Sequence, residues 1–309
     1  MVTLVLFESV LLNGAIQGAI YALLALGFTL IYGVSGLVNM SHGSFFMIGP
    51  YAFFILDSLF FSLFPILGLS LSRLWITVFA LIVATILTGI VGSAAYRLTM
   101  HYVIGDDVAV LVVTVALALI FQQLILMGYG PSWVYVPTFL RESIVILGVT
   151  MTQSRLLAFA VSIVLFLSLW LFISKSKIGK AMRALSQDRE AAMLMGINTG
   201  RLYMLTIAIS AAFAALAGMF ISASGPGVAN PFIWLEPLAL SFAIVVLGGL
   251  GSIKGTLIGG FIIGYATSAV ETLVPQGGTI VSAVPFTIMV LILFLRPKGL
   301  FGKRIEMEA

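Results

Sequence analysis

Residues 10–34, VLLNGAIQGAIYALLALGFTLIYGV, run from end to end without one charged side chain. A helix needs about 20 mostly apolar residues to cross the hydrocarbon core of a bilayer, and this stretch is long enough. Its few polar residues are periodic: Asn13, Gln17 and Tyr21 recur at every fourth position, on one helical face. Polar groups facing hydrocarbon are costly, so that face turns towards the interior of a bundle. Two readings fit the stripe, a pathway lining and a set of interhelical hydrogen bonds. Gly14 and Gly18 form a GxxxG, and Ala15, Ala19, Ala22 and Ala25 keep the helix slim. Lipid offers no hydrophobic drive for helix association, so close backbone packing has to supply it.

The pattern recurs near 44–64, 74–97, 106–129, 154–173, 204–224, 236–250, 255–273 and 279–296. Gly43, Gly49 and Pro50 interrupt one of these segments, and Gly248, Gly249, Gly251 and Gly255 interrupt the region near 250. Such breaks survive in a membrane only where protein or a water-filled cavity satisfies the backbone. The expected fold is all-α: a polytopic transmembrane helix bundle of about eight to ten membrane segments, some broken or re-entrant, forming one transmembrane domain over 1–309. Composition agrees. The 309 residues are 61% hydrophobic and 8% charged, against about 25% charged in soluble domains. So few charges cannot cover a water-exposed surface of this size. The absence of Cys, with only His42 and His101 as histidines, excludes a disulfide framework and an ordinary zinc site. The N-terminal stretch lacks a basic n-region, so no removable signal peptide is expected.

Charge sets the orientation. Segment 174–203 carries Lys175, Lys177, Lys180, Arg183, Arg189 and Arg201 against Asp188 and Glu190, and the C-terminal tail adds Arg296, Lys298, Lys303 and Arg304. The positive-inside rule puts both in the cytoplasm. Counting spans outward then places Arg97 and Lys254 inside and the loop 130–153 outside. The net charge of +4 reads as topology, not as nucleic-acid binding. Trp75, Trp133 and Trp234 fall at the outer interface and Trp170 at the inner one. The loop 130–153, Pro-bounded with β-branched runs, reads either as a surface hairpin or lid or as a plain connection. Asp57, Glu236 and Glu271 come out near the outer ends of their spans, where Arg73, Arg141, Arg155 or an external protein is available to meet them.

Three further stretches carry motifs. Asn39-Met40-Ser41-His42-Gly43 sets three polar side chains between two spans. It fits a broken-helix element beside a translocation path and equally a capped turn, with Asn39 or Ser41 as N-cap. GGLGSIKGT (248–256) is not a Walker A sequence, because Lys254-Gly255-Thr256 reverses the order in which lysine reaches phosphate. The glycine spacing also fails the dinucleotide fingerprint, so no ATP site and no cofactor are expected. Met47–Tyr51 can be laid on Leu257–Phe261, a faint internal repeat of the kind transporters use. In 174–203, Met182, Leu185 and Ala192 have helical apolar spacing, and Glu190-Ala191-Ala192 is followed by Gly196 as a helix stop. Such a helix either docks into a partner's groove or lies on the inner membrane surface.

Four stretches together, GAIYALLALGFTLIYGVSGLVNMSHGSFFMIGPY (18–51), SKIGKAMRALSQDREAAMLMGIN (176–198), VVLGGLGSIKGTLIGG (245–260) and FLRPKGLFG (294–302), resemble in order and spacing the ABC-transporter permeases for branched-chain amino acids of bacteria and archaea, specifically the H-type subunit. Permeases for urea, short amides and some sugars share parts of the pattern. The resemblance implies a multi-pass permease subunit in a prokaryotic inner or plasma membrane, with its C-terminus cytoplasmic, moving substrate by alternating access. Its implied partners are a homologous second permease subunit, two cytoplasmic ABC ATPase subunits and an extracytoplasmic substrate-binding protein. It is then no enzyme itself, and ATP hydrolysis falls to the partners. Carried over by position, Glu190, Ala191, Ala192, Gly196 and Ile197 belong to the ATPase-contacting helix. Asn39, Ser41, His42, Gly249 and Gly251 belong near the substrate pathway, and Gln17 joins them from the polar stripe. A stand-alone secondary transporter is the rival, but it needs ion-coupling groups in mid-membrane, and few are present. An intramembrane enzyme needs a metal set or a nucleophile with its base, and none stands out.

Overall fold

Long runs of apolar residues form helices wherever lipid leaves the backbone no other partner, even through a β-branched cluster such as Val112-Val113-Thr114-Val115. In a computed structural model, which describes residues 2–69, 71–140, 142–224, 228–296 and 298–302, the membrane-length helices are α1 (Val2–Ser35), α2 (His42–Ile66), α3 (Arg73–Leu98), α4 (Asp107–Tyr129) and α5 (Gln153–Lys175). Two short helices follow, α6 (Lys177–Leu185) and α7 (Arg189–Leu194), then α8 (Thr199–Ser224), α9 (Leu235–Gly248), α10 (Ile253–Leu273), α11 (Gly277–Ile280) and α12 (Val284–Leu295). Counting α11 and α12 as one continuous stretch, 8 segments are long and apolar enough to cross a membrane, as expected of a polytopic bundle. Arg141, Lys303 and Arg304 lie outside the described residues.

The exception to the expected spans is α9. It has 14 residues, about 20 Å of helix, too short for a hydrocarbon core of about 30 Å. The chain enters the bundle as non-helical backbone before Leu235, so this segment is broken at its start as well as at the expected glycine turn near 250. Trp234, expected in an outer aromatic belt, is buried instead and donates its indole N–H to Gln122 Oε1 of α4.

The central seam joins α1 to α10, antiparallel. Gly14, Gly18 and Ala22 face Tyr265, Gly264, Phe261 and Gly260, so close that a β-carbon on Gly18 would lie 2.9 Å from the Phe261 Cα. The Thr29 and Thr256 hydroxyls bond to each other across it, and Ser268 Oγ donates to the Val10 carbonyl at 3.2 Å. Small residues are what bring the backbones this near. On the other flank, α8 packs on α2 and α3 through Gly49 against Ala215 and Gly92 against Ala211. By contrast α12 fully buries only Pro285; Ile288, Met289 and Ile292 pack partly against the core, and Val290, Leu291, Phe294 and Leu295 are exposed.

One end of the bundle collects the end of α1, the α3–α4 link, α6, α7 and the α9–α10 turn, and with them Arg97, Arg183, Arg189, Arg201 and Lys254. Here the backbone N–H groups of Leu300 and Phe301 donate to the carbonyls of Leu247 and Gly248, at 2.9 and 3.0 Å. Residues 298–302 thereby close the free carbonyl end of α9. The opposite end carries a β-hairpin, β2 (Ser143–Ile146) with β3 (Val149–Thr152), turned by Leu147 and Gly148 with φ of 50° and 75°. Positive φ at both turn residues is the hairpin geometry that suits strand twist. Of the two readings of 130–153, the hairpin is the one realised. Beside it, β1 (Val134–Tyr135) pairs with β4 (Val228–Ala229).

Candidate functional site

Two helices begin inside the bundle and not at its ends. After Ser35 the chain turns and runs back inward through 37–41. The Met40 N–H donates to Thr114 Oγ1 at 3.1 Å, seven residues into α4 and so about 10 Å from its start. His42 opens α2 beside Leu24, in the middle of α1. From the opposite end, the chain reaches Trp234 beside Gln122, fifteen residues along α4, and α9 starts there. The two starts meet: Gly43 rests on the Trp234 carbonyl and on Leu238. Helix starts carry unbonded N–H groups and a positive partial charge, so two of them converge in the interior from opposite directions. Met47–Tyr51 and Leu257–Phe261, the two stretches of the faint repeat, lie within the continuous helices α2 and α10.

The side chains at this junction are polar and enclosed. Asn39, Ser41, His42 and Ser44 are at most 1% exposed. Asn39 Oδ1 accepts from the Ser41 N–H at 3.0 Å and from Ser41 Oγ at 2.6 Å, a local turn that uses up the residues expected to cap α2. Ser41 holds the N-cap position, yet its side chain makes no capping bond. The Asn39 amide nitrogen is buried without a partner, an uncommon state for a side-chain donor. His42 is saturated. Its Nε2 lies 3.0 Å from the Leu24 carbonyl, which only accepts, so Nε2 carries the proton. Nδ1 then accepts from the Ser210 hydroxyl at 3.0 Å, and the edge of the Phe28 ring closes the site at 5.7 Å between centroids. The imidazole pins α1, α2 and α8 together.

The polar stripe of α1 splits. Asn13 accepts from Arg155 Nη1 at 3.0 Å, and Gln17 accepts from Thr267 Oγ1 while donating to Glu271 Oε2, both at 3.0 Å. Tyr21 borders a small cavity of about 60 Å³ with Glu236, Thr267, Glu271 and Ser282. Of the acids read as interfacial, Asp57 pairs with Arg73 and accepts from Thr77 Oγ1. Glu236 accepts from the Ser282 hydroxyl at 2.7 Å and Glu271 from Gln17, and neither has a basic partner among the described residues. Both carboxylates are exposed, Glu271 in the last turn of α10 and Glu236 in the first turn of α9.

Gly249 and Gly251 sit apart from this junction, in the α9–α10 turn at the basic end, with Gly251 against Gly33. Gly251 borders a cavity of about 600 Å³ with Tyr32, Asp107, Gln187 and Arg189, beneath the α6–α7 connector. The connector itself is tightly built. Ser176 caps α6 by accepting from the Gly179 N–H, and Asp188 caps α7 by accepting from the Ala191 N–H. At the far end of α7, Gly196 has φ +81°, its N–H bonds to the Met193 carbonyl, and the Ile197 N–H bonds to the Ala192 carbonyl. That pair of bonds is the Schellman closure, which needs a residue tolerant of left-handed backbone. Met182, Leu185 and Ala192 are buried, as their spacing predicts. Glu190, Ala191 and Gly196 are exposed, while Leu194 and Met195 project at 88% and 82% exposure. These two apolar residues form the outermost point of the connector, and the six-residue helix was too short for its sequence to reveal which side faces outward.

The chain matches the family model "Branched-chain amino acid transport system / permease component" over residues 10–293. It is 31% identical over 300 residues to the high-affinity branched-chain amino acid transport system permease protein BraD of Pseudomonas aeruginosa, covering 95% of each chain. To the permease protein LivH of Escherichia coli it is 30% identical over 307 residues, covering 96% of each. The permease protein LivM of Escherichia coli is 27% identical over 315 residues, covering 91% of this chain and 67% of that protein.

Proposed function

Because the chain belongs to the branched-chain amino-acid transport permease family, matched over nearly its whole length, we propose that it is the membrane-spanning permease subunit of an ATP-driven ABC importer for branched-chain amino acids. The observation that carries this reading is the capped connector whose tip, Leu194 and Met195, projects two apolar side chains from the basic end of the bundle. An apolar tip on a rigid mount suits a groove in a separate protein. In this reading the basic end, with the C-terminal tail, faces the cytoplasm, as its arginines and lysines favour. Two cytoplasmic ATPases grip the connector through Ala191, Leu194, Met195 and the Gly196 turn. Buried Ala192 and half-buried Ile197 fix its seat on the bundle, and exposed Glu190 flanks the tip. ATP binding draws the ATPases together and the connectors move with them. The free energy for the change between outward and inward states comes from the partners, since a conformational change requires differential interaction with its two states.

Substrate passes between this chain and a homologous second permease subunit, after delivery by an extracytoplasmic binding protein. Glu236 and Glu271, without counter-ions among the described residues, cannot face hydrocarbon cheaply. A water-lined path or a subunit seam on that side resolves the cost. The carboxylates suit the ammonium of an amino acid, and the convergent starts of α2 and α9 suit its carboxylate. Urea or an amide, being uncharged, would leave the carboxylates unmatched.

Reconstitution tests the reading. The chain in proteoliposomes with the second permease subunit, the ATPases and the binding protein should take up leucine on ATP addition. Leucine uptake by this chain alone, down an ion gradient, overturns it.

A further inference from the structure

At the basic end, away from the α6–α7 tip, the last turn of α3 and the first turn of α8 border an open cavity of about 550 Å³. Arg97 and Arg201 reach it from the two helices, and His101, Tyr96 and Tyr102 wall it. Neither arginine has an acidic partner among the described residues, where the one ion pair is Arg73 with Asp57. Asn198 caps α8 here by accepting from the Arg201 N–H at 3.0 Å, so the positive start of a 26-residue helix adds to the same field. The aromatic wall is continuous: ring centroids lie 5.9 Å apart for Tyr96 and His101 and 5.5 Å for His101 and Tyr102. Its rim faces outward, with Tyr102 78% exposed.

A solvated basic surface needs no aromatic side, and an apolar membrane face needs no arginines. An open cavity with two guanidiniums unpaired among the described residues and an aromatic side, at the level where two spanning helices end, has both. We propose that it binds the phosphate of an anionic phospholipid headgroup, with Arg97 and Arg201 on the phosphate oxygens and Tyr102 at the level of the glycerol backbone. Guanidinium matches phosphate with paired donors, and basic pockets between membrane helices hold anionic headgroups for this reason. The inference rests on the membrane-spanning fold and not on what is transported, so it stands or falls apart from the importer reading.

The full chain, purified in a neutral detergent, is titrated with dioleoylphosphatidylglycerol and followed by native mass spectrometry. Dioleoylphosphatidylcholine and inorganic phosphate serve as comparison probes. The anionic lipid should be retained in preference to the zwitterionic one. Each arginine should contribute about fivefold, so Arg97→Gln with Arg201→Gln loses about twenty-five-fold in apparent affinity. The double lysine variant, which keeps the charge and controls for folding, should retain most of it, and Lys175→Gln, at the end of α5, should be unchanged. Equal retention by the double glutamine variant overturns the site. Complete displacement by millimolar inorganic phosphate assigns the pocket to a soluble anion and overturns the lipid. Loss of the lipid when the ATPases bind assigns it to a protein interface, with the same result.

Discussion

Gly43, in the first turn of α2, lies so close to the main-chain carbonyl of Trp234 that no β-carbon fits between them. That contact joins two helices entering from opposite ends, so a single added methyl acts on both. Gly43→Ala should cost about 1–3 kcal/mol through forced separation of the two backbones. A thermal-unfolding series in detergent measures it. An unchanged midpoint would show that the junction is looser than described.

His42 bonds to the Leu24 carbonyl and the Ser210 hydroxyl, and both partners are buried. Removing the ring leaves a cavity and two polar atoms without partners. His42→Ala should therefore cost about 2–4 kcal/mol. A double-mutant cycle with Ser210→Ala should return a coupling of about 1 kcal/mol. If His42 acts only as a pin, the fraction of protein that still folds should show a normal Michaelis constant for uptake.

Leu194 and Met195 touch little of their own chain, so Leu194→Ser and Met195→Ser should change stability by no more than about 0.5 kcal/mol. Together they should abolish co-purification of the ATPases. Gly196→Ala differs in kind. With φ at +81° it strains the Schellman turn and should cost about 1 kcal/mol even without partners. Retained ATPase binding in the double serine variant would remove the docking assignment.

Asp57 and Arg73 form an unequal pair: the arginine side chain is 48% exposed and the aspartate 3%. Arg73→Ala strands a buried carboxylate with only Thr77 to bond it, at a cost of about 3 kcal/mol. Asp57→Asn keeps a polar group of the same shape and leaves the arginine free to reach water, so about 1 kcal/mol is expected. Chemical denaturation of the two variants in one detergent tests the order. Equal losses would contradict it.

Glu236→Gln and Glu271→Gln remove charge while keeping the bonds to Ser282 and Gln17 available. Should the carboxylates meet the substrate ammonium, leucine uptake falls about tenfold or more while ATPase assembly is unaffected, a loss of the size expected for one charge-assisted hydrogen bond. Uptake assays on proteoliposomes matched for complex content decide it.

Much of the architecture was legible from sequence. A span such as 10–34 declares itself by length and lack of charge, and its GxxxG predicts the close seam that Gly18 makes with α10. The buried side of the connector was equally readable from Met182, Leu185 and Ala192. What escaped was depth. The apolar run 236–250 looks like a span whether its helix begins at the surface or within, because hydropathy is blind to the backbone that precedes it. The indole of Trp234 was assigned to a belt for the same reason, since only its bond to Gln122, far away in sequence, shows that it is buried. Leu194 and Met195 were hidden differently: in so short a helix only the packing of its neighbours decides which residues point out.

The bonds from Leu300 and Phe301 to Leu247 and Gly248 have a bearing on biogenesis. A translocon delivers helices in the order of synthesis, yet α9 cannot be sealed until α10, α11 and α12 have all been threaded after it. In the interim its two open carbonyls must borrow water, which holds that half-length helix near the headgroups. The carbonyl end of α9 is therefore among the last parts of the bundle to settle, and a stop codon placed before residue 300 should yield a chain that inserts but never locks.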